Sequence, residues 1–110
     1  MVNDEAYRRE LDYLSQYAHH DWLGFSVVSG AVGGLLGRGA SFQEQLALLL
    51  RIVAELHDAG VRPGDLTESD QDHFLPWNAD KAAALARIEA EVDAHSRLPD
   101  SGDICWFTVP

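Results

Sequence analysis

The strongest alternation of apolar and polar positions lies between Ser41 and Gly60. Phe42, Leu46, Leu49, Leu50, Val53 and Leu56 follow the i, i+3, i+4, i+7 spacing that places side chains on one helical face. Leu48 and Ile52 widen that face, so this helix is expected to meet neighbours on more than one side. Ser41-Phe42-Gln43-Glu44 has the capping-box pattern, in which Ser41 accepts from the Glu44 backbone N–H and Glu44 reaches back. Gly60 supplies the left-handed residue that ends helices at low cost, and Pro63 stops the pattern from resuming.

Three weaker helical stripes flank this one. Asn3 caps a first helix with Asp4 and Glu5 in its opening turn, and Tyr7, Leu11, Leu14, Tyr17 and Ala18 form its apolar side. Asp21 is a cap for a second helix over Trp22–Leu36, apolar almost all round, with a strand at Phe25–Val28 as the alternative. Its glycines Gly30, Gly33, Gly34 and Gly37 weaken helix propensity, and close approach of a neighbouring backbone is the expected return. Asn78 caps a last helix over Ala79–Ser96, whose face is Ala82, Leu85, Ile88 and Val92. Val61–Leu66 reads as a short strand or arm broken by the Pro63-Gly64 turn, and Ile104–Val109 is the best strand in the chain. Thr67–Asp80, between them, is an acidic loop holding Glu68, Asp70, Asp72 and Asp80, no Lys or Arg, and the apolar Phe74, Leu75 and Trp77.

Length and composition predict a single domain over 1–110, with a core of its own. The lone Cys105 excludes an internal disulfide and fits a reducing cytoplasm. The charged first twenty residues show no signal peptide, and the apolar run of about 15 residues falls short of the roughly 20 needed to span a bilayer. Eighteen acidic residues against eight basic ones give a net charge of −10. That balance disfavours nucleic acid and anionic membranes, since Lys and Arg supply phosphate affinity, and it suits a basic protein partner.

The chemistry-bearing residues do not assemble into a known catalytic or metal pattern. His19, His20 and Asp21, with His57 or His73, are the transition-metal candidates, but adjacent histidines point about 100° apart on a helix. Glu68, Asp70 and Asp72 alternate as calcium ligands do, yet a loop starting at Asp70 puts Leu75 and Lys81 where Gly and Glu are required. Cys105 lies in an apolar strand, and Ser26, Ser29 and Ser41 lack a Gly-x-Ser-x-Gly elbow. Gly30-Ala31-Val32-Gly33-Gly34 and Gly37-Arg38-Gly39 match no phosphate loop. No cofactor and no metal are expected. Aromatic anchors ringed by charge are the composition of a protein-binding hot spot, which singles out Glu68, Asp70, Asp72, Phe74 and Trp77. For Trp77 the competing role is a core plug before the last helix.

Three helices followed by a short strand, a loop and a later strand resemble the order of elements in winged-helix domains, with Leu56-His57-Asp58-Ala59-Gly60-Val61-Arg62 similar to a recognition helix turning into its wing. Asp21-Trp22, Gly60, Gly64-Asp65-Leu66, Pro76-Trp77, Gly102-Asp103-Ile104 and Trp106-Phe107 resemble positions in a group of small bacterial proteins. In size and charge the chain is also similar to immunity proteins of bacterial toxin systems. The resemblance implies a mainly helical α+β, winged-helix-like fold of about four helices and a small two- or three-stranded antiparallel sheet. It implies an acidic, non-enzymatic, cytoplasmic protein-binding domain, in concrete form an immunity-type inhibitor of a basic toxin such as a nuclease. A winged-helix DNA-binding regulator is the alternative. It conflicts with the net acidic set Gln43, Glu44, Gln45, Arg51, Glu55 and Asp58 on the would-be reading helix.

Overall fold

The computed structural model describes residues 2–68 and 73–110. Their order is α1 (Asp4–His20), β1 (Leu23–Gly24), α2 (Phe25–Leu36), α3 (Phe42–Asp58), β2 (Arg62–Leu66), β3 (Phe74–Pro76), α4 (Lys81–His95) and β4 (Trp106–Thr108). The fold is α+β and mainly helical, as expected. Among the described residues the sheet has four antiparallel strands rather than two or three, in the order β1-β4-β2-β3. The two strands that periodicity misses are the two-residue β1 and the three-residue β3. Both are too short to show alternation and are defined by the strands beside them. The β2–β3 hairpin follows the third helix, where a wing is expected, but β4 arrives from beyond a fourth helix to fill the place between β1 and β2.

α3 is the centre. Its capping box forms as the sequence predicts: Ser41 Oγ accepts from the Glu44 N–H at 3.1 Å, and Glu44 Oε1 accepts from the Ser41 N–H at 3.2 Å. The Ser41 backbone N–H, and after it the Ser41 hydroxyl, hold the Glu44 carboxyl below its usual range. At the other end Gly60 sits at φ 95°, and the N–H groups of Gly60 and Val61 donate to the His57 and Leu56 carbonyls at 3.0 and 2.9 Å. This is a Schellman motif, with Val61 and Leu56 both buried as its apolar clasp. Leu46, Leu48, Leu49, Ile52, Val53 and Leu56 are buried, and α1, α2 and α4 each pack on this helix.

α1 starts at Asn3, whose Oδ1 accepts from the Ala6 N–H, and buries Tyr7, Leu14 and Ala18. Asp21 closes α1 instead of opening α2. The chain stays extended through β1, so α2 begins at Phe25 rather than Trp22, with Gly24 as an N-cap that has no side chain. Ser101 reaches in from the C-terminal region to accept from the Ser26 N–H at 3.1 Å, and so does the capping. α2 buries Phe25, Val28, Ala31 and Val32. Gly30, Gly33 and Gly34 lie away from that face, and a Cβ at any of them would meet nothing, so the expected backbone contact is absent within this chain. α4 starts two residues later than expected. Trp77 is still extended, its N–H given to the Pro63 carbonyl at 2.9 Å, and Asp80 rather than Asn78 accepts from the Ala83 N–H at 2.8 Å.

The helices cover one face of the sheet. Leu23, Phe107 and Pro63 form a buried row across β1, β4 and β2, with Phe25 edge-on to Phe107 at 4.9 Å between ring centroids. The next row, Gly24, Trp106, Gly64 and Pro76, points the other way. Pro63-Gly64 is therefore not a turn but the middle of β2. Gly64 is required by close approach, since a Cβ there would run into the Leu75 carbonyl and the Phe74 ring. Among the described residues no helix is long and apolar enough to cross a membrane.

Because Leu49 is fully buried on α3 while Tyr13 is 54% exposed on α1, their truncations separate. Leu49→Ala is expected to cost about 2–5 kcal/mol in urea unfolding and Tyr13→Ala about 0.5 kcal/mol or less. Similar losses for both would refute the central place of α3.

Candidate partner-binding surface

The singled-out residues divide. Asp70 and Asp72 lie outside the described residues. Glu68 is exposed beyond the end of β2, and Phe74 opens β3 opposite Leu66 rather than standing in a loop. Trp77 is half-buried against the main core. The Arg87 guanidinium lies 3.7 Å from its ring centroid, and its indole N–H is buried without a hydrogen-bond partner among the described residues. Trp77 thus lies between the core and Arg87, which fits the role of a core plug.

The free aromatic is one the sequence reading passed over. Trp22, between α1 and β1, is 40% exposed, and the His73 ring lies 6.3 Å from it. β1 and the hairpin strand β3 are opposite edges of the sheet, so this contact means that the hairpin folds back over the sheet's open face. Trp106 stands in the row between Gly24 and Gly64, its ring leaning over Gly24. Leu66 and Leu75, 37% and 51% exposed, add apolar area on the hairpin. Neither Trp22, Phe74 nor Trp106 belongs to the main core cluster. Pro76 leaves the β3 edge short of a donor, which disfavours strand addition there and leaves recognition to side chains.

Charge around this face is negative. Asp21 is exposed, its Oδ1 accepting from the adjacent Trp22 backbone N–H at 2.7 Å. Asp21 and Glu68 have no ion pair with any described residue. The nearby basic groups are committed. Arg62 donates to the His57 carbonyl at 2.6 Å, and Arg97 pairs with Asp103 at 3.1 Å and Asp100 at 3.9 Å. The Asp100 N–H and then Arg97 hold the Asp103 carboxyl below its usual range.

Other polar groups are structural. Tyr7 donates to Glu55 at 2.5 Å beneath the Arg51 guanidinium, 4.0 Å from the ring centroid, which ties α1 to α3. Burial, and then the Glu55 carboxylate, push the phenol pKa up. A cleft of about 290 Å³ beside it is lined by Asp4, Tyr7, Arg8, Leu11, Arg51 and Glu55, whose inner groups already satisfy one another. Cys105 is buried, and burial raises its thiol pKa, so it is a packing residue. His19 bonds to the Ser15 carbonyl, and among the described residues no three His, Cys, Asp or Glu side chains converge as a metal site would need.

Comparison with protein-family models, with curated proteins and with solved structures finds no match. The surface is therefore read from its own chemistry.

His57, at the end of α3, has its Nε2 buried without a partner among the described residues. Burial, and then Arg62 and Lys81, hold its pKa below 6.5, against the weaker pull of Asp58 and Asp80. A depressed histidine takes its proton later in the folded state than in the unfolded chain. Stability is therefore unaffected by it above about pH 7 and falls as pH drops below about 6.5 toward the folded pKa. His57→Gln is expected to flatten part of the urea-stability loss between about pH 7 and about pH 5, and profiles that run parallel would refute this.

Proposed function

We propose that this chain is a non-enzymatic, acidic protein-binding domain for a basic protein partner, most concretely an immunity-type inhibitor of a basic toxin such as a nuclease. The observation that carries the reading is the open sheet face, where Trp22, His73, Phe74 and Trp106 lie near Asp21 and Glu68, carboxylates with no ion pair among the described residues, in a chain of net charge −10. A half-exposed aromatic surface rimmed by one sign of charge gives a partner both an anchor and a steering field. Asp70 and Asp72 add to the negative charge of the same hairpin by sequence. The DNA-binding alternative is disfavoured by α3, which has helices packed on it from three elements and whose Arg51 is taken up by Tyr7 and Glu55.

The test is titration with the protein encoded by the adjacent gene, which this reading expects to be basic. Binding is expected to weaken steeply with salt, and the double change Asp21→Lys with Glu68→Lys to slow association about tenfold. Association unchanged by the double variant would refute this surface.

A further inference from the structure

Two of this protein's aromatic rings are completed in the same way. Tyr7 is covered by Arg51 at 4.0 Å, and Arg51 pairs with Glu55 at 3.8 Å. Trp77 is covered by Arg87 at 3.7 Å, and Arg87 pairs with Glu91 at 3.2 Å. Each is a triad of ring, guanidinium and carboxylate, in which the carboxylate orients the cation over the π face. Trp22 has two of the three parts. The residue is 40% exposed, and the carboxylate of the preceding Asp21 accepts from the Trp22 backbone N–H at 2.7 Å and forms no ion pair with a described residue. Among the described residues no arginine or lysine lies over this ring.

We infer that the basic partner supplies the missing cation: one of its arginine side chains lies on the Trp22 indole with the Asp21 carboxylate as its counter-charge. This rests on the reading of the open face as a site for a basic protein, and it names the contact at its centre. Arginine fits better than lysine because the planar guanidinium stacks on an indole while its edge donors reach a carboxylate, whereas an ammonium is a strongly hydrated point charge. Glu68 on the hairpin provides the wider negative rim. A second copy of this chain is a poor source of the arginine, since two molecules of net charge −10 repel.

The probe is an acetylated peptide of alternating glycine and arginine, titrated into the full chain at low salt while the three indole N–H signals are followed by NMR. The same peptide with lysine, and with citrulline, in place of arginine serves for comparison. The Trp22 signal is expected to shift saturably with the arginine peptide, with about fivefold weaker affinity for lysine and no shift with citrulline. Trp22→Ala and Asp21→Asn should each weaken the arginine peptide several-fold, with the Trp77 and Trp106 signals in place to report an intact fold. Equal binding of arginine and lysine peptides with a still Trp22 signal would overturn this inference and leave the acidic-surface reading standing. No binding of either peptide while the neighbouring basic protein still binds would also overturn it. Failure of that protein to bind as well would remove the underlying reading. A Trp22 signal that moves on dilution without peptide would place a second copy there and overturn the assignment to a partner.

Discussion

The structure depends on α3 being apolar on more than one side. A helix with a single stripe can be covered by one layer, but Leu46, Leu48, Leu49, Ile52, Val53 and Leu56 need cover from several directions, and α1, α2 and α4 provide it. Every other placement follows from this. α1 is fixed to it by the Tyr7–Glu55 hydrogen bond under Arg51, and α4 is tied near its far end by Lys81–Asp58 at 2.8 Å. The Schellman turn at Gly60 then sets the direction in which β2 leaves, and with it the position of the hairpin.

With the other three described helices engaged around α3, none remains to cover the second face of the sheet. Its middle row reads Gly24, Trp106, Gly64, Pro76, so three of four positions lack a flexible side chain and Trp106 is the one large group. Side chains at the two glycines are excluded by crowding from Ser101 and Trp106 on one side and from Leu75 and Phe74 on the other. What covers this face is the hairpin itself, folded over far enough for His73 to meet Trp22. That arrangement leaves apolar area half-exposed, which is the condition for docking through side chains.

Sequence patterns identify those features whose determinants lie close together in the chain. The capping box at Ser41, the glycine stop at Gly60 and the stripe of α1 each depend on residues within a few positions, and all form as read. What could not be read depends on distant partners. β1 exists because β4 pairs with it, α2 starts late because Ser101 caps it from the other end of the chain, and α4 waits for Trp77 to leave β2. The surface follows the same rule. Trp77 reads in the sequence as either an anchor or a core plug because Arg87, which covers it, is on the next helix. Trp22 looked like the start of an apolar helix because nothing local shows that His73 lies against it. The pair Asp21-Trp22 is visible in the sequence, but the half-exposed ring that His73 meets is not.

The distribution of charge explains why the surplus matters at this face. Arg9, Arg51, Arg87, Arg97 and Lys81 each have a carboxylate within 4.0 Å, four of them within four residues or one short loop on their own segment. Such exposed pairs contribute little stability individually, yet they consume most of the eight cations locally. With eighteen acidic residues, the excess of ten cannot be neutralised within the chain. A uniformly spread excess would serve solubility alone. Here part of it stands at Asp21, next in sequence to a ring over which no guanidinium of the described residues lies, and an arginine of the proposed basic partner would relieve that local imbalance.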